Sequence, residues 1–226
     1  NLAGNALAEW KYQRYMRDYL ATAVSLDRNI GRTLDYLDKH QLTSNTIVIY
    51  VSDQGFYLGE HGWFDKRFMY EESFRTPMVM RYPGVIKPGT ENNNLLMNLD
   101  IAPTLLDAAS VVAPDDMQGE SFLPLLTKEN AKGRKAMYYH YYENGEHSVS
   151  PHFGISTGRY KLIRFYKRVE SWELYDLQND ASEMKNLYGD KKYRVLTKKL
   201  KNELLQLINL YDDKEAKKIF NEHITD

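Results

Sequence analysis

The sequence predicts an α/β fold: part of a mainly parallel central sheet flanked by helices, followed by a smaller antiparallel sheet packed with a C-terminal helix. Three patterns predict it. Apolar positions step by three and four through Tyr12, Met16, Tyr19, Ala23, Leu26, Ile30, Leu34 and Leu37, tracing one face of a long amphipathic helix. The run Thr46-Ile-Val-Ile-Tyr-Val51 then follows, continuous and mostly β-branched, the pattern of a strand covered on both faces with parallel neighbours. Beyond Arg134 the texture changes to short aromatic segments separated by turn residues, as in an antiparallel sheet.

Taken in order, polar residues from Gln41 to Asn45 end the first helix, and Val51 ends the first strand. A loop from Asp53 to about Arg75 follows, rich in Gly, aromatic and charged residues and longer than a structural connection needs, which marks it as a functional candidate. A second strand, Met78-Val-Met-Arg-Tyr82, closes at Pro83-Gly84. Asp100 is a candidate N-cap before Pro103 and a helix from Thr104 to Ala109, since Pro suits the first turn of a helix. The α/β part is expected to span 1–127, with a small α+β subdomain over 128–226. In the latter the expected strands are Ala136 to Tyr142, Gly154 to Thr157, Tyr160 to Tyr166 and Trp172 to Leu177. A helix from about Tyr193 to Tyr211 places Leu196, Leu200, Leu204, Leu207 and Ile208 on one side, and that side is expected to pack on the sheet.

Composition narrows the function. Lys and Arg total 30 against 31 Asp and Glu, a formal net charge of -1 that makes no electrostatic case for a nucleic-acid partner. The basic stretch from Lys191 to Lys201 reads as the solvated face of its helix. No apolar run approaches the roughly 20 residues of a membrane span. With no cysteine, disulfides, thiolate nucleophiles and cysteine metal sites are excluded. The 18 tyrosines offer both stacking area and hydroxyls, as carbohydrate-facing surfaces need, although most are expected in the core. The chain opens Asn-Leu-Ala-Gly, without an initiator Met or a signal peptide, so the start of the protein is expected to lie upstream.

The strongest local chemistry is Ser52-Asp53-Gln54-Gly55, where the first strand gives out, because ligands in open α/β sheets bind beyond the carboxyl ends of strands. A carboxylate and a neutral amide oxygen, adjacent on a Gly-assisted turn, can face one hard cation such as calcium, whereas zinc prefers His or Cys. The plainer reading is an Asx-type turn. Gly59-Glu60-His61-Gly62-Trp63-Phe64-Asp65-Lys66-Arg67 then adds a His, two acids, two cations and two aromatics. Lys66, a point charge on a long stem, suits an anionic ester group, against the plainer reading of a surface lysine.

These residues resemble the second half of the type I sulfatases. The resemblance rests on Ser52-Asp-Gln-Gly-Phe-Tyr-Leu-Gly-Glu-His-Gly-Trp-Phe-Asp-Lys-Arg67, Tyr70-Glu-Glu-Ser-Phe-Arg-Thr-Pro77 and Arg81-Tyr-Pro-Gly84. It continues through Asp100-Ile-Ala-Pro-Thr-Leu-Leu106, Gln118-Gly-Glu-Ser121, Glu173-Leu-Tyr-Asp-Leu177 and Glu183-Met-Lys-Asn-Leu187. Within the family it is nearest to bacterial glycan sulfatases, including the N-acetylglucosamine-6-sulfatase type. By position the resemblance implies that Asp53 and Gln54 are the late calcium ligands and that Lys66 is the catalytic lysine contacting sulfate. It implies that His61, Trp63 and Arg75 contact substrate, a sulfated carbohydrate, and that the enzyme is periplasmic or secreted, or lysosomal in animals.

The family's nucleophile is a formylglycine made from Cys or Ser in a Cys/Ser-X-Pro/Ala-X-Arg motif, and no such motif occurs here. The resemblance therefore assigns the nucleophile to an N-terminal half before Asn1, so the chain alone is expected to be inactive and to bind calcium poorly. Two alternatives stand beside it. A phosphoric or phosphonate ester hydrolase of the same alkaline-phosphatase-like group would share the sheet, but a two-zinc phosphatase calls for His where Gln54 stands. A non-catalytic glycan-binding module is the other, motivated by the tyrosine-rich sheet.

Overall fold

The computed structural model describes residues 2–128 and 130–222. The chain packs as two compact units. One comprises residues up to Ser52, Phe56–Asp65 and Pro77–Thr90; the other comprises Asp53–Gly55, Lys66–Thr76 and the chain from Glu91 onward.

The first unit holds helix α1 (Gly4–Lys39) and strands β1 (Val48–Val51) and β2 (Met78–Arg81). The helix runs past the periodic stretch at its N-terminal end, and none of its residues is buried. β1 and β2 pair antiparallel, Val48 opposite Arg81 and Val51 opposite Met78. This corrects the expectation of parallel neighbours for β1, and among the described residues no parallel pair occurs. A continuous apolar run reports that both faces want cover but carries nothing about strand direction. Here the chain returns through the 52–77 loop and lays β2 against β1 in the opposite sense.

The second unit is built on an antiparallel meander, β3 (Met137–Tyr141), β4 (His152–Ser156), β5 (Tyr160–Phe165) and β6 (Ser171–Asp176), hydrogen-bonded in that order. The four expected strands are all present, each within a few residues of its predicted ends. Side chains alternate across it. Phe153, Ile155, Leu162 and Leu174 on one face meet Leu200, Leu204 and Ile208 of helix α5 (Arg194–Leu210), forming the larger core as the helical spacing predicted. Helix α6 (Lys214–Glu222), absent from the elements the sequence predicts, adds Ala216 and Phe220. Ile163, Phe165 and Tyr175 on the opposite face pack with Met69. Gly154 permits that second layer, since a Cβ there would stand 2.5 Å from the Leu162 carbonyl and 2.8 Å from Met69 Sδ.

Short helices α2 (Glu71–Phe74), α3 (Ile101–Ala108) and α4 (Leu123–Thr127) complete the unit. Asp100 stands at the N-cap position of α3, as expected, but its side chain makes no cap hydrogen bond to that helix. It closes a 3₁₀ turn (Asn98–Asp100), so its backbone is already helical and its carboxylate turns away. Its oxygens accept from Met97 N at 2.7 Å, Glu120 N at 2.9 Å and the Arg134 guanidinium at 2.7 Å. Most tyrosines of the sheet are engaged in packing: Tyr166 and Tyr175 are buried, and Tyr138 and Tyr139 flank the two cores. Among the described residues, no helix is long and apolar enough to cross a membrane.

Candidate functional site

Where β1 ends, the turn Asp53–Gly55 leaves the first unit and packs in the second. Gly55 sits so close to α2 that a Cβ would lie 2.0 Å from the Glu72 carbonyl oxygen, so no other residue fits without moving the helix. Its N–H donates to the Ser73 carbonyl at 2.8 Å. On the other side of the turn the Asn98 amide donates to the Asp53 carbonyl at 2.6 Å. The backbone of the turn is thus held from two directions, and the side chains of Asp53, exposed, and Gln54, half-buried, project from it. Both offer oxygen and neither offers nitrogen or sulfur, which fits a hard cation such as calcium and not zinc. Two donors fall short of the six to eight that calcium takes.

Lys66 and Arg67 belong to the same unit, and Lys66 is half-buried. Arg67 has φ 99, a conformation costly for a residue with a side chain. Hydrogen bonds maintain it: Arg67 N donates to Ser73 Oγ at 2.8 Å, and the Arg67 carbonyl accepts from the Tyr139 hydroxyl at 2.6 Å. Ser73 therefore binds both stretches, the Asp53–Gly55 turn through its carbonyl and the Lys66–Arg67 stretch through its hydroxyl.

Ser73 lies on α2, and α2 is fastened by charge. The Lys161 amine, fully buried on β5, stands 2.8 Å from Glu71 Oε1 and 2.8 Å from Glu183 Oε1. The other oxygen of Glu183 accepts from Glu71 N at 2.7 Å, satisfying the first donor of the helix. Burial pushes the Glu183 carboxyl up to about 7, with Lys161 working against that rise. The Tyr70 hydroxyl donates to Glu173 at 2.8 Å, and the Phe74 ring meets Tyr139 edge-on.

Of the remaining expected site residues, Arg75 is exposed at the end of α2 and shares the unit of Asp53, Gln54 and Lys66. His61 and Trp63 belong to the other unit. There His61 lies in the 3₁₀ turn Glu60–Gly62 with φ 54 and meets the Tyr57 ring edge-on, while Trp63 is half-buried. Sequence reasoning passed over Ser73, Asn98, Lys161 and Glu183. A lysine inside the apolar strand Tyr160–Phe165 was a readable signal, because a fully buried cation requires partners.

Comparison with known proteins adds to this geometry. The family model for the N-sulphoglucosamine sulphohydrolase C-terminal region matches residues 59–221, and the sulfatase model matches residues 4–111. The chain is 53% identical over 212 residues to the N-acetylglucosamine-6-O-sulfatase of Bacteroides thetaiotaomicron, covering 92% of this chain and 37% of that protein. It is 35% identical over 182 residues to the arylsulfatase of Clostridium perfringens, covering 78% of this chain and 36% of that one. A solved sulfatase complex with its substrate D-glucosamine-2-N,6-O-disulfate superimposes with a TM-score of 0.93 at 51% identity, over 96% of this chain and 45% of the other. The phosphonate monoester hydrolase of Agrobacterium radiobacter, at 23% identity and a TM-score of 0.73 over 83% of this chain and 40% of its own, shares the fold. This chain therefore spans less than half the length of each of these relatives.

Proposed function

Because this chain belongs to the sulfatases, through the N-sulphoglucosamine sulphohydrolase C-terminal family that covers residues 59–221, we propose that it supplies the late metal ligands and the anion-binding lysine of a sulfuric ester hydrolase acting on sulfated sugars. One observation carries the reading. The Asp53–Gln54 turn and the Lys66 loop hydrogen-bond to the same residue, Ser73.

In this reading Asp53 and Gln54 would hold a calcium ion, which when bound would supply positive charge to the sulfate group. The Lys66 ammonium adds a second positive charge. Charge held in place before reaction stabilises the transition state without reorganisation, often the largest catalytic contribution. His61, Trp63 and Arg75 are assigned to the sugar. The attacking group, a formylglycine, is assigned to the part of the protein beyond these residues. A periplasmic or secreted location belongs to the same proposal.

For the substrate, the 53% identity to an N-acetylglucosamine-6-O-sulfatase supports 6-O-sulfated glucosamine. The phosphonate hydrolase likeness, at 23% identity, speaks for the fold alone and gives the phosphoryl-transfer alternative no further support. The test is sulfate release from N-acetylglucosamine-6-sulfate by the complete protein. Asp53→Ala and Lys66→Ala are each expected to lower kcat/KM by about a hundredfold or more, the scale of losing one preorganised charge. The 226-residue chain alone is expected to release none. Parental activity in both variants would sink the proposal.

A further inference from the structure

Helix α2 has four residues, and Ser73 is the one it buries. So short a helix has no stability of its own in water, and of its four residues only Phe74 reaches an apolar core, packing against the cluster of Met69, Ile163, Phe165 and Tyr175. Yet it touches both halves of the proposed site. Its position is fixed by the buried Lys161 amine between Glu71 and Glu183, by Glu183 accepting from Glu71 N, and by the Lys161 ammonium lying 5.2 Å from the centre of the Phe74 ring.

We propose that the Lys161–Glu71–Glu183 cluster, acting through Ser73 on α2, is a positioning device that sets the Asp53–Gln54 turn and Lys66 relative to each other. The inference rests on the sulfatase reading for what is positioned. None of the four residues touches substrate in this account; they act through others. Direction and distance are both constrained. The two carboxylates reach Lys161 from different parts of the chain, so the cation fixes where α2 begins. The Ser73 carbonyl then fixes Gly55, where a Cβ would collide with the Glu72 carbonyl, leaving the metal turn one seat. The Ser73 hydroxyl fixes Arg67, held at φ 99, and through it the exit of Lys66. A buried ion pair contributes little net stability compared with apolar residues of the same volume, so its value here is where it puts the backbone.

The two variants separate the two arms. In the complete protein, Ser73→Ala removes the acceptor for Arg67 N but keeps the carbonyl for Gly55. It is expected to lower kcat/KM for N-acetylglucosamine-6-sulfate about tenfold while the half-saturating calcium concentration stays within about twofold, because a misplacement of under 1 Å costs rate before it costs binding of a distant ligand. Lys161→Met frees α2 as a whole, so kcat/KM falls and half-saturating calcium rises, each about tenfold or more. Amide exchange of Gly55 and Arg67, measured on the same samples, is expected to speed up at Arg67 in the first variant and at both in the second. Should Lys161→Met fail to fold, Ser73→Ala decides alone. Kinetics and exchange within about twofold of the parent in a folded variant would overturn the inference, as would a lower melting temperature with unchanged kcat/KM and calcium response. A parent that releases no sulfate defeats the sulfatase reading instead, and the exchange rates still decide the positioning.

Discussion

The imidazole of His152 is 0% exposed, ringed by Phe68, Tyr139, Tyr141 and Phe165, with Nδ1 2.8 Å from the Ser150 carbonyl. Burial lowers its pKa from 6.5 to about 4. The sign follows: between these values the unfolded chain binds a proton that the folded chain refuses, so this contribution is complete above pH 6.5 and is lost on acidification toward pH 4. Each pH unit in that window removes about 1.4 kcal/mol. Glu183, raised from 4.5 to about 7, runs the other way, its contribution present below 4.5 and fading as pH rises through 7. His152→Phe is therefore expected to blunt the acid sensitivity of the melting temperature between pH 6.5 and 4.5, and Glu183→Gln to sharpen it. A thermal-melt series across that range showing equal slopes for parent and both variants would refute the assignment. The carboxylate, amide and lysine at 53, 54 and 66 can be proposed from the sequence because their chemistry is written in residue types. Ser73 cannot, because its role lies in a carbonyl and a hydroxyl whose partners are set by folding.

Among the elements, the antiparallel strands and α5 were legible for a local reason, since period-two and period-3.6 patterns need nothing beyond their own neighbourhood. The pairing sense of β1 depends on where a loop returns the chain, and no periodicity records that. α6 carries little periodic signal, because its nine residues follow a three-residue break and bury only Ala216 and Phe220. Leu204, 0% exposed, lies midway along the buried face of α5 against the sheet. Leu204→Ala is expected to destabilise by about 2–5 kcal/mol, lost transfer energy plus a cavity. Chemical denaturation showing a change below about 1 kcal/mol would mean that the helix is not seated as described.

At the scale of the molecule, α1 leaves Trp10, Leu20, Val24, Leu26 and Tyr36 exposed, and β1 and β2 leave Tyr50 and Val79 so. Apolar surface of that kind on a two-stranded sheet invites pairing or association. Alone in solution, this chain is expected to self-associate at micromolar concentration, and light scattering that returns a monodisperse monomer would contradict it.

The Glu183 carboxylate meets the start of α2 across 112 residues of sequence. A ribosome that has finished Lys66 has already made both metal ligands and the sulfate-binding lysine proposed for this chain, yet nothing to seat them. Seating waits for Lys161 and then for Glu183, after all four strands of the meander have been synthesised. A nascent chain stalled before Glu183, or a product clipped between β6 and that residue, carries the 52–77 loop complete in composition and without its anchor.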